Sequence, residues 1–426
     1  MPSRLSIRTL FVTLATAALL APLTAAADTQ TASGPGRDEP AASTPLTESL
    51  PSCADVEADK AETQGGSAMC VDPQAPKLSG AQLTKNASKL GLTKRDGKAA
   101  GNVGVKAGED VPKPLAVDCP AYQLETNRSE SCYLGEFPFL VRLIPNGTVL
   151  GRGSILQVVY GYLDNRARRM EHEVRLSLYR ATGVVRAGVL ATVTISCTHA
   201  CTPTVTPPPG RLPYRTSGYD TFRAVTESPG TATVFPAPVA SLTIQSTAPN
   251  PLIDEIGPRA DVRCDSTSRV GPNTGGCVHH LYWPTYDLST LNADTEEVAW
   301  HVWWAQNNLN AAWGREGYGP PLTRTRDRQL IRDNRRQACR AAPSPRPPGQ
   351  SCDEYPFAST HEGASKNPDF SWHMIDARQN TAEGRDYRRP WYNNNRLLED
   401  DKFWVRVILP PGGAAAAPDW LPPSKS

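Results

Sequence analysis

After its first 27 residues the sequence has no apolar run long enough to cross a bilayer, which excludes a helical membrane protein for the remainder. It has almost no net charge, +2 over 426 residues, so composition alone implies no bulk attraction to polyanions or membranes. It has no Cys-x-x-Cys repeat and only 7 histidines, which argues against a zinc module. What it has in quantity is Pro (40) and Gly (32), a composition that suits loops, short strands and linkers better than a large helical bundle. The length fits about two to three domains.

The N-terminus reads as a secretory signal over residues 1–27. Arg4 and Arg8 form a basic segment, Phe11 to Leu20 is a short apolar run, and Ala25-Ala26-Ala27 is an A-x-A cleavage site. A retained anchor is the competing reading, and the shortness of the run disfavours it. The expectation is a chain released to the extracellular space. Its ten cysteines then read as disulfides. They fall into sequence-local pairs: Cys53-Cys70, Cys119-Cys132, Cys197-Cys201, Cys264-Cys277 and Cys339-Cys352. Spacing alone does not set connectivity, and nearest-neighbour pairing is the simplest hypothesis. A loop of this size stabilises by roughly 2–3 kcal/mol in the chain-entropy model.

Residues 28–116 read as a low-complexity, basic linker interrupted by a small Cys53-Cys70 loop. Lys85, Lys89, Lys94, Arg95, Lys98 and Lys106 make part of it basic, either as a solvated linker or as an arm for a polyanion. Residues 117–255 are β-rich. Phe137 to Ile144 leads into Asn146-Gly147, a hairpin signal, and Ser154 to Tyr162 is the returning strand. Val174, Leu176 and Leu178 alternate with polar neighbours, and Val189 to Ser196 and Ala240 to Gln245 are further β runs. The pattern predicts an antiparallel β-sandwich-like domain with no chemical constellation. His172 falls on the polar face of its strand pattern and reads as solvated.

From about Arg263 the texture turns to α+β. Asp294-Thr-Glu-Glu297 reads as an N-cap with a capping-box Glu, opening a helix with the stripe Val298, Val302, Ala305, Leu309 and Ala312 and a stop at Gly314. A second helix is expected over Asp327 to Ala341, and a closing strand over Asp400 to Leu409. Residues 411–426 read as a disordered tail.

Chemistry concentrates in the second half. Seven arginines lie between Arg324 and Arg340 against two acids, Asp327 and Asp333. Arg385, Arg388, Arg389 and Arg396 form a second basic cluster with Trp391 and Tyr392 interleaved. Arginine captures phosphate bidentately, and aromatic faces stack on bases. Beside them stands Cys352-Asp-Glu-Tyr-Pro-Phe-Ala-Ser-Thr-His-Glu-Gly363. Two adjacent carboxylates follow a cysteine, and a third, Glu362, follows in the same segment. Phosphodiester hydrolysis needs a base for water, a hard cation and positive charge on the transition state. Asp353, Glu354 and Glu362 suit the first two roles and the arginines the third. The structural alternative is surface carboxylates that neutralise the arginines.

The stretch C-D-E-Y-P-F-A-S-T-x-E-G resembles the signature of the NucA/NucB family of bacterial secreted deoxyribonucleases. Further likeness lies in Arg263-Cys-Asp265 through Gly276-Cys-Val278, the helix with Ala299 and His301, Pro321 to Arg324, Asn334-Arg335 through Cys339, Asn380 with Gly384, and the strand from Asp401 to Val407. The resemblance covers about residues 262–410. It implies a compact, disulfide-stapled α+β nuclease domain of ββα-metal type, with a divalent metal, magnesium or manganese. On that analogy Asp353 activates water, with Glu354 and Arg335 as further catalytic residues, Arg335 contacting phosphate. Asn380 is a cation ligand, joined by Glu362 and Glu354. His361 stands where the family often has Tyr, and it reads as an accessory group or as a packing substitute. The expected activity is a secreted, metal-dependent endonuclease acting on DNA through its phosphate backbone with little sequence specificity. Two alternatives stay open: a nuclease toxin delivered against competing bacteria, with an inhibitor protein as partner, and a non-catalytic binding protein acting through the β-rich domain.

Overall fold

The Asn146-Gly147 signal marks the turn that organises the first half of the molecule. The structure is a computed structural model describing residues 66–71, 75–93, 119–143, 146–248, 250–268, 270 and 275–421. The signal segment, Cys53 with its bond to Cys70, and the basic run from Lys94 to Lys106 lie outside the described residues. β1 (Ser67–Val71), α1 (Gly80–Leu90) and β2 (Leu124–Thr126) precede the long pair β3 (Glu130–Leu143) and β4 (Val149–Leu163). Gly147 takes φ 69° in the connecting turn, a conformation that favours glycine. There follow β5 (Arg169–Ala181), β6 (Val189–Cys197), β7 (Thr202–Val205), β8 (Gly210–Leu212), β9 (Asp220–Glu227), β10 (Pro238–Gln245) and β11 (Leu252–Ile256). One antiparallel sheet runs β1-β3-β4-β5-β9-β7, with β2 on β3; a second runs β11-β10-β6-β8. Side chains from both sheets share one core, including Phe139, Ile155, Leu176, Val193 and Leu242.

The segment read as linker is partly structured, which corrects that expectation for its described residues. Ser79 caps α1 in a capping box with Gln82, and Gly91 closes it at φ 79°. Leu83, Ala87 and Leu90, at helical spacing, cover Leu134, Leu156, Val158 and Tyr160. This explains the continuous apolar run of β4: Ile155 faces the core between the sheets, while Leu156 and Val158 face α1. Lys85 and Lys89 stay exposed on the outer face. His172 is also corrected. It is buried, 3.3 Å from Thr226 Oγ1 on β9, because the chain around Val262 and His279 covers that face of β5, lining one cavity with His172.

The second half comprises β12 (Val262–Asp265), β13 (Gly276–His279), β14 (Thr285–Ser289), α2 (Glu296–Asn308), β15 (Leu322–Thr323), α3 (Arg328–Ala338), β16 (Gln350–Tyr355), β17 (Ser371–Asp376), α4 (Ala377–Ala382), α5 (Arg389–Asn394) and β18 (Lys402–Ile408). β14 runs parallel to β18 and β15 antiparallel to it. Tyr286, Val298, Val302, Tyr355, Phe357 and Phe403 contribute to a second core. The fold is therefore α+β, with more strand than helix.

Asp327 caps α3 as its spacing predicts, accepting from Gln329 N and Leu330 N. α2 differs at both ends. Its N-cap is Thr295 without a side-chain bond: the Glu297 N–H that a cap would satisfy donates to Gln379 Oε1 at 2.8 Å, and the Glu297 carboxylate accepts from Asp376 N at 2.7 Å. The helix ends at Asn308 rather than near Gly314. Asp369 draws the chain out of it by accepting from Asn310 N and Ala311 N, each at 3.0 Å. The four described cysteine pairs bond as neighbours, Cys119-Cys132, Cys197-Cys201, Cys264-Cys277 and Cys339-Cys352. The tail is corrected as far as Leu421. A 3-10 turn spans Gly413–Ala416, and Trp420 stacks on His373 with ring centroids 4.9 Å apart. Among the described residues, no helix is long and apolar enough to cross a membrane.

Candidate active site

The acidic motif becomes strand β16, which pairs with β17 so that Asp353 faces His373 and Glu354 faces Trp372. Side chains alternate along a strand, so Asp353 and Glu354 leave the hairpin on opposite faces. Asp353 shares its face with Tyr355 and Ser371 and meets α2. Glu354 shares its face with Cys352, whose disulfide to Cys339 ties the end of α3 to this strand. That staple explains why the arginine-rich helix lies over the acids. Arg335 on α3, with a side chain 65% exposed, reaches within 3.8 Å of Glu354 Oε1.

α4 follows β17 directly, capped by Asp376. Asn380, on α4, donates to Ser351 Oγ at 3.0 Å and to the Cys352 carbonyl at 3.1 Å. The hairpin and helix are thereby fixed in the order strand, strand, helix, with the Asn380 side-chain carbonyl left to accept or ligate. Between α4 and α5 the chain makes a π-helical segment, Glu383–Arg388. A π turn closes i to i+5 and is often found at functional sites. Here it brings the first and last residues together: Arg388 Nε lies 2.9 Å from Glu383 Oε1. Glu383 is fully buried and also accepts from the Tyr286 hydroxyl at 3.1 Å. Arg388 packs over the Phe357 ring at 3.9 Å.

The electrostatics are those of crowded, underpaired carboxylates. Burial, then the neighbouring Asp353 charge, pushes the Glu354 carboxyl up to about 7 against the pull of Arg335 and Arg388. Burial raises Glu383 too; Asp353 adds to the rise and Arg388 opposes it. Burial alone would lower the Arg388 guanidinium, but Glu383 and its neighbours hold it above its ordinary value. Asp353 is itself 3% exposed, and its Oδ2 lies 2.7 Å from His301 Nδ1.

The structure places Asp353, Glu354, Asn380 and Arg335 on or against one hairpin, with Arg335 beside Glu354, Asn380 on the Ser351-Cys352 backbone and Asp353 on the opposite face. It separates two other expected residues. Glu362 Oε2 accepts from Thr323 N at 2.9 Å, and so closes the loop after the motif onto β15. His361 Nε2 lies 3.0 Å from Glu399 Oε1 and 3.1 Å from Asp400 Oδ1, in a group apart from Asp353. Among the described residues, three His, Cys, Asp or Glu ligand atoms converge within 4.8 Å only at His361, Glu399 and Asp400. Glu383, Arg388 and His301 belong to the site although the motif does not contain them. The signal for Glu383 and Arg388 was a Gly384 and a Pro390 inside a helical stretch, the composition of an irregular turn.

Buried carboxylates that hold their protons more tightly than usual, set between arginines, fit a hydrolase-type site for an anionic substrate. A family model described as deoxyribonuclease NucA/NucB matches residues 311–406. That region, which holds the motif, Asn380 and the π-helical segment, is thus a deoxyribonuclease domain of the NucA/NucB type. The match begins after α2, so it does not include the 262–310 part of the resemblance read from the sequence. No curated protein matches the chain.

Proposed function

We propose that this protein is a secreted, metal-dependent endonuclease that hydrolyses the DNA backbone with little sequence preference. The observation behind this reading is that the matched region carries the buried Asp353, whose charge reaches both Glu354 and Glu383, with Arg388 paired to Glu383 and Arg335 beside Glu354. Asp353 takes the proton of the attacking water, the work of a general base. Asn380, Glu354 and Glu383 offer only oxygen donors, the set that suits magnesium or manganese rather than a thiophilic metal. Burial, with the Asp353 charge beside it, raises the carboxyls of Glu354 and Glu383, and a divalent cation would offset that cost. Such a cation, when bound, neutralises charge on the scissile phosphate. Arg335, exposed on a long stem, meets the phosphate from the α3 side. Contacts of this kind carry no direct sequence information. Disulfides and the signal-like N-terminus support action outside the cell.

Plasmid digestion by the mature protein tests the reading. Cleavage is expected with magnesium or manganese and none in EDTA. Asp353→Asn should lower it by at least about 100-fold with an unchanged circular dichroism spectrum. A folded, active Asp353→Asn enzyme would sink the assignment of the base, and full activity in chelator would remove the cation.

A further inference from the structure

The nuclease reading uses Asp353 but not the side chains behind it. His301 is completely buried on α2, within the apolar stripe that carries Val298 and Val302. Its Nδ1 lies 2.7 Å from Asp353 Oδ2, and its Nε2 lies 2.9 Å from Ser371 Oγ on β17. An ionised carboxylate only accepts, so Nδ1 carries the proton and donates it. In the neutral ring Nε2 is then an acceptor, and the Ser371 hydroxyl donates to it. The chain Ser371 to His301 to Asp353 thus draws one member from each of β17, α2 and β16. A buried imidazole at a core position costs desolvation unless both nitrogens are satisfied, and here both are.

The connectivity is that of a Ser-His-Asp relay, and the strand register shows which end works. Ser371 stands opposite Tyr355, which is fully buried, so its hydroxyl points into the core. Asp353 is followed in β16 by Glu354, and its charge reaches both Glu354 and Glu383, whereas Ser371 has no charged neighbour of this kind in the hairpin. We propose that His301 is a positioning residue for Asp353: it holds Oδ2 so that Oδ1 is presented to the attacking water, and Ser371 locks the ring in the tautomer that donates to the carboxylate. The inference rests on the nuclease reading above. The water proton goes to Oδ1, and the Nδ1 proton stays on the ring throughout.

Three variants separate donor from filler. His301→Asn keeps an N–H on the atom equivalent to Nδ1, His301→Gln moves the donor to the far end, and His301→Ala removes it. On plasmid DNA with magnesium, His301→Ala should lower kcat about 10–100-fold, the range found when an orienting partner is removed, with KM within about twofold. His301→Asn should recover most of kcat and His301→Gln little of it. Ser371→Ala should lower kcat a few-fold by the same logic. A space-filling role predicts the reverse order, Gln above Asn, because Gln is nearer the volume of His; that order overturns the proposal, as does unchanged kcat in a folded His301→Ala protein. A downfield imidazole N–H resonance, lost in both His301→Ala and Asp353→Asn, reports the bond independently of turnover. Its absence from the wild type overturns the proposal. Failure of the wild type to cut DNA while the resonance is present overturns the nuclease reading, and the catalytic role with it, without touching the geometry.

Discussion

Two buried charge clusters, one at the junction of the β-rich and C-terminal regions and one in the nuclease site, use the same residue types to opposite ends. At the junction three arginines serve two aspartates. Arg128, from the loop before β3, donates to Asp401 at 2.9 Å and to the backbone carbonyls of His279, Tyr282, Asn395 and Arg396. Arg263 forks onto Asp401 at 2.6 and 2.9 Å, and Arg396 onto Asp265 at 2.5 and 3.2 Å. Burial alone would raise both aspartates, but bonds from Arg396 and Arg263 hold Asp265 and Asp401 below the usual carboxylate range. In the nuclease site three carboxylates face one committed arginine and one loose one, and Glu354 and Glu383 rise instead. The direction of the shift separates the roles. Carboxylates held down have arginine bonds that outweigh their burial, whereas at Glu354 and Glu383 burial and the Asp353 charge outweigh the arginines present.

The sharpest way to break this comparison is Asp401→Asn. It leaves Arg128 and Arg263 buried without their carboxylate, and breaking such a pair costs about 3–5 kcal/mol. The denaturant midpoint should fall by a corresponding amount, while kcat per folded molecule, measured well below the new transition, stays near that of the wild type. A loss under about 1 kcal/mol would mean that the junction is worth no more than a surface ion pair. A large fall in kcat with stability intact would mean that the junction belongs to the chemistry.

Neither cluster was fully legible in the sequence, for reasons that differ. The β3-β4 hairpin was readable because Asn146-Gly147 is a local signal flanked by apolar runs, and α3 because Asp327 caps it two residues on. Asp353 and Glu354 stand out in the sequence because two adjacent carboxylates follow Cys352 in one motif. Arg388 stands out only as one of a basic cluster, and its pairing with Glu383 does not show at all. Five residues apart, they do not share a face of an α-helix, and only the π-helical segment joins them. His301 was hidden for another reason: it sits in a helical apolar stripe, where its spacing is that of core, and its partners lie 52 and 70 residues away. The junction joins Arg128 to Asp401 across 273 residues, and no local pattern encodes such a pair. α1 was missed because three small or apolar positions, Leu83, Ala87 and Leu90, were diluted by a Lys- and Gly-rich surround.

The two clusters should also differ in the sign of their pH dependence. Asp265 and Asp401 are depressed, so they contribute stability that is complete above the ordinary aspartate value of 3.8 and is lost as pH falls through their lower folded values. Glu354 is raised from 4.5 to about 7, so the folded state holds its proton longer than the unfolded chain does. Stability therefore declines as pH rises from 4.5 to about 7 and is flat above that. Glu354→Gln should remove this decline in chelator. The variant should melt about 2–4 °C above the wild type at pH 8, a shift of roughly 1 kcal/mol if the C-terminal half melts as a unit of about 150 residues, and match it near pH 4. A variant less stable than the wild type at pH 8 would place Glu354 among the satisfied carboxylates and erase the contrast with the junction.

The smallest effect is expected at the edge of the nuclease cluster. Arg335 is the least committed of its charges, 65% exposed and 3.8 Å from Glu354, so it contributes little to folding. Its value lies in meeting a phosphate, and that value depends on salt. Arg335→Ala should leave the melting temperature within about 2 °C of the wild type. The KM for DNA should rise a few-fold at low salt, and the logarithmic salt dependence of binding should become shallower by about one ion. Because Arg335 also opposes the rise of Glu354, the same substitution should push that carboxyl further up and extend the stability decline to higher pH. Both changes from one substitution would tie the phosphate rail to the acidic strand. An unchanged salt slope would assign Arg335 to the solvated face of α3 and leave Arg388 as the arginine that matters in the site.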